Sequence, residues 1–219
     1  MSNINQQVNF FLENRYKHSL GLWNIELDSL SEEYYQLSRF EAIVTLMFDF
    51  CKIKKISSNI NRFKNVETLV IRGSELGDIA EYIPYFKKLK TLRISNSTVG
   101  NISKSLSNLK SIEELALNGI DWDHTYDNLI YLNKIESLYF SSTTLLEIPL
   151  FVFELKTLRS LSISGYVSVV SPNKLGQLQG SLLKPKHSGI TFPNKFDQLK
   201  ELKSLTLSDL KRYPVLFLN

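Results

Sequence analysis

FKNVETLVIRGSELGDIAEYIPY (residues 63–85) and FKKLKTLRISNSTVGNISKSLSN (residues 86–108) carry one pattern twice. Apolar residues coincide at Phe63/Phe86, Val66/Leu89, Leu69/Leu92, Ile71/Ile94, Leu76/Val99, Ile79/Ile102 and Ile83/Leu106, a period of 23 residues. A fixed period of that length marks a solenoid, in which each unit buries its apolar face against the next. Within each line, TLVIR and TLRIS alternate apolar and polar residues, as a strand with one buried face does. Leu69 and Ile71 are therefore expected inside, with Thr68, Val70 and Arg72 outside.

The strand half of each line, LxxLxLxxxxL-like, resembles the leucine-rich repeat family in its bacterial type. The resemblance implies an α/β solenoid: a horseshoe with a parallel concave sheet and a convex side of turns, 3₁₀ segments and short helices. It also implies a non-catalytic protein-binding module. In that family the turn after the strand usually holds Asn or Cys, whose side chain satisfies backbone groups. Here the position reads Cys51, Ser74, Ser97, Ile120, Thr143 and Tyr166. A hydroxyl or thiol can take over part of that bonding. Ile120 and Tyr166 cannot, so the side-chain ladder is expected to break there.

Working outward, units 40–62, 63–85, 86–108, 109–131 and 132–154 follow without insertion or deletion. The segment 17–39 is expected as a degenerate first unit, with Leu20, Trp23, Ile25, Leu30 and Leu37 on the period and Trp23 in the core place of Leu69. Residues 1–16 place Ile4, Val8, Phe11 and Leu12 at helical spacing, the pattern of a capping helix over the open end of the array. The repeats run through 17–219 as about nine units, with an irregular stretch at 166–190. Pro185 falls there where a strand is due, and proline cannot donate to a ladder. The last unit ends in Val215, Leu216, Phe217 and Leu218 with no polar cap, so a second copy of the chain, a partner or a fold-back of the segment itself is expected to cover it.

Composition bounds the compartment. The single cysteine, Cys51, cannot pair internally, which favours a reducing environment. The start has no basic leader and no stretch approaches the roughly 20 apolar residues of a membrane span, so a cytoplasmic location without membrane contact is expected.

Chemistry is sparse. No phosphate-loop, dinucleotide, zincin or nucleophile-elbow motif is present, and His18, His124 and His187 sit in different units. Cys51 falls on a buried position and reads as structural. Asp121, Asp123 and Asp127, with Trp122 and His124 between, would be a metal or hydrolytic site only if they converged; a solvated turn is the expected reading. A lysine row (Lys64, Lys87, Lys110, Lys156, Lys200) could follow a phosphate backbone, but the row lacks aromatics for base stacking. The expectation is therefore no enzyme, no cofactor, no metal and no nucleic acid, with another protein as partner.

The concave face is where that partner is expected. Its outward rows should read Leu22, Thr45, Thr68, Thr91, Glu114, Ser137, Ser160, Ser181, Ser204; then Asn24, Met47, Val70, Arg93, Ala116, Tyr139, Ser162, Leu183, Thr206; then Glu26, Asp49, Arg72, Ser95, Asn118, Ser141, Ser164, Pro185, Ser208. Against this hydroxyl background, Asp49, Phe50, Arg72, Arg93, Glu114 and Tyr139 stand out as binding residues. Tyr and Arg are typical interface anchors. Tyr139, between Ala116 and Ser162, is expected to stand clear. A protein that masks one target, as an inhibitor or immunity protein does, is the expected role. The alternative is the recognition domain of a secreted bacterial effector.

The register makes a direct prediction. Leu92→Ala and Leu115→Ala should each cost about 2–5 kcal/mol as buried large-to-small changes. Thr91→Ala, one residue away but outward, should cost under about 0.5 kcal/mol. Urea unfolding of the three variants tests it, and equal losses for Leu92→Ala and Thr91→Ala would refute the register.

Overall fold

The computed structural model describes residues 18–30, 40–120, 129–142, 150–165 and 198–208. Eight parallel strands form one sheet in the order β1 (Ser19–Trp23), β3 (Thr45–Asp49), β5 (Thr68–Arg72), β7 (Thr91–Ser95), β8 (Glu114–Asn118), β9 (Ser137–Ser142), β10 (Ser160–Gly165) and β11 (Ser204–Ser208). Three shorter strands, β2 (Glu26–Ser29), β4 (Lys52–Lys55) and β6 (Glu75–Leu76), make a second parallel sheet beside the turns. The other elements among the described residues are short: 3₁₀ segments at Phe40–Ala42, Ser58–Arg62, Ile83–Tyr85 and Leu150–Glu154, and helices at Ile79–Tyr82 and Ile102–Leu106. This is the open solenoid of short strands and short convex turns that the repeat implies.

All fourteen residues of the paired apolar positions in 63–108 are buried. They join one core that runs from Leu20 to Leu205. Each unit is also fixed to its neighbour through the backbone. The Glu67 carbonyl accepts both the Lys90 and Thr91 amides at 2.9 Å, and Lys90, Glu113 and Glu136 repeat the arrangement for the next units. The double acceptance sets the register before each strand begins.

The turn after each strand obeys a second rule. Asn24, Phe50, Gly73, Asn96 and Gly119 all adopt left-handed φ between 48° and 61°. Each donates its amide to a carbonyl of the next strand: Asp49, Arg72, Ser95, Asn118 and Ser141 respectively. One residue further on runs the side-chain ladder expected from Cys51, Ser74 and Ser97. The Cys51 amide donates to Ser74 Oγ at 2.9 Å, and the Ser74 amide to Ser97 Oγ at 3.0 Å. The two hydroxyls give their own protons to the Arg72 and Ser95 carbonyls. Ile120 has no hydroxyl to offer the Ser97 amide, so this chain of bonds stops where the sequence placed the break. Tyr166 lies outside the described residues.

Two registers differ from expectation. Strand β1 pairs Ser19 with Thr45, Gly21 with Met47 and Trp23 with Asp49. The first unit is thus 26 residues long rather than 23, and the three-residue slip exchanges inside for outside. Leu20 and Leu22 are buried, Trp23 lies in an outward row, Asn24 forms the turn and Glu26 belongs to the second sheet. At the other end β10 pairs directly with β11, Ser160 with Ser204. No strand of unit 176–198 stands between them, and Ser181, Leu183 and Pro185 lie outside the described residues. The register advances 44 residues there, from Ser160 to Ser204. The capping helix at 1–16, the irregular stretch 166–190 and the apolar end 215–218 lie outside the described residues.

Close stacking predicts two sensitive positions. A Cβ on Gly77 would lie 2.1 Å from the Lys54 carbonyl oxygen, so Gly77→Ala must push apart two backbones. Ser74→Ala strips the buried Cys51 amide of its acceptor, at about 1–3 kcal/mol. Both should lower the urea midpoint well beyond Ser58→Ala, an exposed serine away from the ladder.

Candidate functional site

The concave face is paved by the outward residues of the eight strands, and two ion pairs dominate it. Arg72 grips Asp49 side-on, with Nε to Oδ1 and Nη2 to Oδ2 both at 2.6 Å. Arg93 Nε donates to Glu114 Oε1 at 2.7 Å. Parallel registry causes both contacts: Asp49 and Arg72 are lateral neighbours, whereas Arg93 reaches diagonally to Glu114, which sits beside Thr91. Each carboxylate holds its guanidinium firmly charged.

Tyr139 and Arg93 flank Ala116 in one row, on adjacent strands to either side. The ring does not stand clear as expected. Tyr139 is half-buried, Ala116 is buried, and the Tyr139 hydroxyl is close enough to act electrostatically on Arg93. Only the methyl group of Ala116 separates them in the row. Arg93 and Tyr139 thus place a cation and an aromatic on either side of a buried alanine.

Phe50 is not on a strand. It occupies the left-handed turn after β3, at the rim, with 67% of its surface exposed. A Cβ on Gly73 would lie 2.6 Å from Phe50 Cδ1, so the ring rests on the bare glycine backbone of the next unit. The equivalent turns use Asn or Gly, which enter this conformation cheaply, while a bulky residue does not. Retaining an exposed aromatic there costs backbone strain, and such strain gathers where side chains work.

Six residues were singled out from sequence. The structure brings Asp49 to Arg72 and Arg93 to Glu114, sets Tyr139 against Arg93, and moves Phe50 to the rim. Sequence reasoning missed Trp23, which shares a row with Asp49 and Arg72 and packs partly against the core. The only signal for it was the length of the first unit. Gly21 stands beside Met47, leaving Trp23, Met47 and Val70 as a small apolar zone next to the charged centre.

Elsewhere the features are modest. Cys51 is buried, its thiol pKa is raised by that burial, and its Sγ lies 3.3 Å from the Leu22 carbonyl. That is a structural thiol rather than a nucleophile. In the lysine row, Lys87 and Lys156 donate to the Pro84 and Phe153 carbonyls, closing the ends of 3₁₀ segments. Asp121, Asp123, His124 and Asp127 lie outside the described residues. Among those described, no three His, Cys, Asp or Glu side chains gather as a metal site, and no helix is long and apolar enough to cross a membrane. A cavity of about 1020 Å³ opens between the helical turns of two adjacent repeats, lined by Tyr85, Lys87, Asn108 and Lys110 and by no residue of the concave strands.

Solved structures resemble the whole assembly. A leucine-rich repeat protein of Leptospira interrogans superposes with a TM-score of 0.55 at 23% identity, covering 90% of this chain. The chain spans 56% of that protein's length. Internalin C2 of Listeria monocytogenes superposes with a TM-score of 0.50 at 16% identity, covering 87% of this chain and 80% of its own. No sequence-family model matches the chain, nor does any curated protein sequence. The fold is the leucine-rich-repeat solenoid, as its sequence resemblance implied.

The strain at Phe50 yields a stability prediction. Phe50→Asn should raise stability by about 1 kcal/mol, because the left-handed turn costs a bulky residue about that much and asparagine little. A urea midpoint that falls instead would mean the ring on Gly73 is a structural contact outweighing the strain.

Proposed function

We propose that this chain is a non-catalytic protein-binding module that holds one protein target against its concave face. On this reading it masks that target, as an inhibitor or immunity-type protein does, and it acts in the cytoplasm. One observation carries the reading: the side chains that depart from a serine and threonine pavement are of the anchor type. Arg72, Arg93, Tyr139 and Trp23 stand on adjacent or nearby strands of one hydrogen-bonded ladder. Interfaces rest on a few such residues, and Trp, Tyr and Arg are the commonest among them. A rigid backbone holds them at fixed spacing, which lowers the cost of ordering on binding. The buried thiol and the absence of catalytic sequence motifs fit a role exercised through the surface.

Capture from native lysate of the source cells, with mass spectrometry, identifies the target, and its affinity is then measured for variants. Tyr139→Ala and Arg93→Ala should each weaken the complex by about 1–4 kcal/mol. The melting temperature of Arg93→Ala should change little, because an exposed ion pair contributes about 0–1 kcal/mol. Asp121→Ala and Asp123→Ala should leave affinity unchanged. Loss confined to the aspartate pair would move the site off the concave face.

A further inference from the structure

We propose that Arg72 and Arg93 together clasp one carboxylate of the bound protein, so that the partner segment presents an Asp or Glu side chain to the centre of the concave sheet. The proposal rests on the concave face being the protein-binding surface.

The order of charges across the sheet is the first ground. Asp49 lies on β3, Arg72 on β5, Arg93 on β7 and Glu114 on β8, so two cations stand in the middle with an anion on either side. Val70 pairs with Arg93 and Arg72 with Ser95, which makes the two arginines diagonal neighbours on the same face. Strand spacing and a two-residue rise put their Cα atoms roughly 8 Å apart. Their long side chains can both reach one small group set between them.

Exposure is the second ground. In both pairs the cation is open and the anion covered: Arg72 54% against Asp49 26%, and Arg93 56% against Glu114 25%. Pairs elsewhere show no such bias, as in Lys90 at 48% against Glu67 at 39%, or Lys54 at 71% against Asp28 at 88%. Formal neutrality of the concave face therefore hides a positive surface. An approaching partner meets guanidinium first and carboxylate only beneath it.

Unused donors are the third ground. A guanidinium carries five N–H groups. Arg72 commits Nε and Nη2 to Asp49, and Arg93 commits only Nε to Glu114. Arg72 Nη1 and both terminal nitrogens of Arg93 have no acceptor among the described residues. Each side chain is already anchored by its own acid, so little freedom is lost when those donors are taken up. The Tyr139 hydroxyl, across Ala116 from Arg93, can donate to the same incoming group.

The surroundings limit the ligand to one carboxylate on a protein. No lysine and no third arginine occupies an outward position of the eight strands, and Asp49 and Glu114 would repel a chain of phosphates. Next to the arginines, Val70, Met47 and Trp23 offer apolar surface for a side chain neighbouring the acid.

A random twelve-residue peptide library displayed on phage is selected against the full chain, and enriched peptides are synthesised and titrated by fluorescence anisotropy. The expected peptides share an acidic residue whose change to Asn or Gln weakens binding about tenfold or more. Arg72→Gln and Arg93→Gln should weaken them comparably. Neither variant should lose further affinity when the peptide's acid is also removed, the non-additivity of groups in contact. Circular dichroism and melting should show the variants folded. Peptides that lose binding with Tyr139→Ala but tolerate loss of their acid would overturn the clasp and leave the concave face as the site. Failure to enrich any peptide sensitive to Tyr139→Ala, Arg72→Gln or Arg93→Gln would overturn both. A fluorescein-labelled single-stranded oligonucleotide is titrated in parallel; binding that depends on both arginines and exceeds that of the peptides would overturn the carboxylate assignment in favour of phosphate.

Discussion

A chain stacked as parallel strands must leave each strand without breaking the hydrogen bonds that the next strand needs. Here one backbone conformation meets that demand. The residue after the strand turns left-handed, and its amide then meets a carbonyl of the following unit, from Asn24 to Gly119. One position later the Ser74 and Ser97 hydroxyls bridge what the main chain cannot reach, accepting from the Cys51 and Ser74 amides. At the opposite end of each strand, single carbonyls accept two amides from the next unit. Between these clamps the alternating residues have no choice of side. Leu, Ile and Phe go in, and whatever lies between them becomes the concave surface.

The surface inherits both its order and its tensions from that frame. Because registry is fixed, the charges of neighbouring units meet at hydrogen-bond distance, and their side chains are held rather than waving in solvent. Holding a charge is different from cancelling it. Asp49 and Glu114 are less exposed than the arginines they hold, and surface pairs of this kind stabilise little. Phe50 pays in strain for a rim position that asparagine or glycine would occupy freely.

The core of units 40–154 was legible in the sequence because each buried position recurs every 23 residues, and chance does not sustain such a pattern through several units. The break in the side-chain ladder at Ile120 was legible for a chemical reason: an alkyl group cannot accept a hydrogen bond. The ends were not legible. In the first unit LGLW supports two registers, one burying Trp23 and one burying Leu22, since apolar residues fall on both faces. Only pairing with the Thr45–Asp49 strand decides between them, and it puts Trp23 on the outside. The direct pairing of β10 with β11 was likewise hidden, because the sequence shows where a strand is poor but not which strands pair.

The sequence by itself thus determined the repeat, the fold class, the buried face of the regular strands and the residue types of the concave surface. These follow from local periodicity, which is a property of the chain read along its length. Tertiary structure alone decided which side chains meet: Arg72 on Asp49, Arg93 reaching diagonally to Glu114, Phe50 resting on Gly73. Contact across strands depends on register, rotamer and exposure in three dimensions. A one-dimensional pattern places a residue on a face, but only packing settles what it touches and which of two paired charges a partner would meet first.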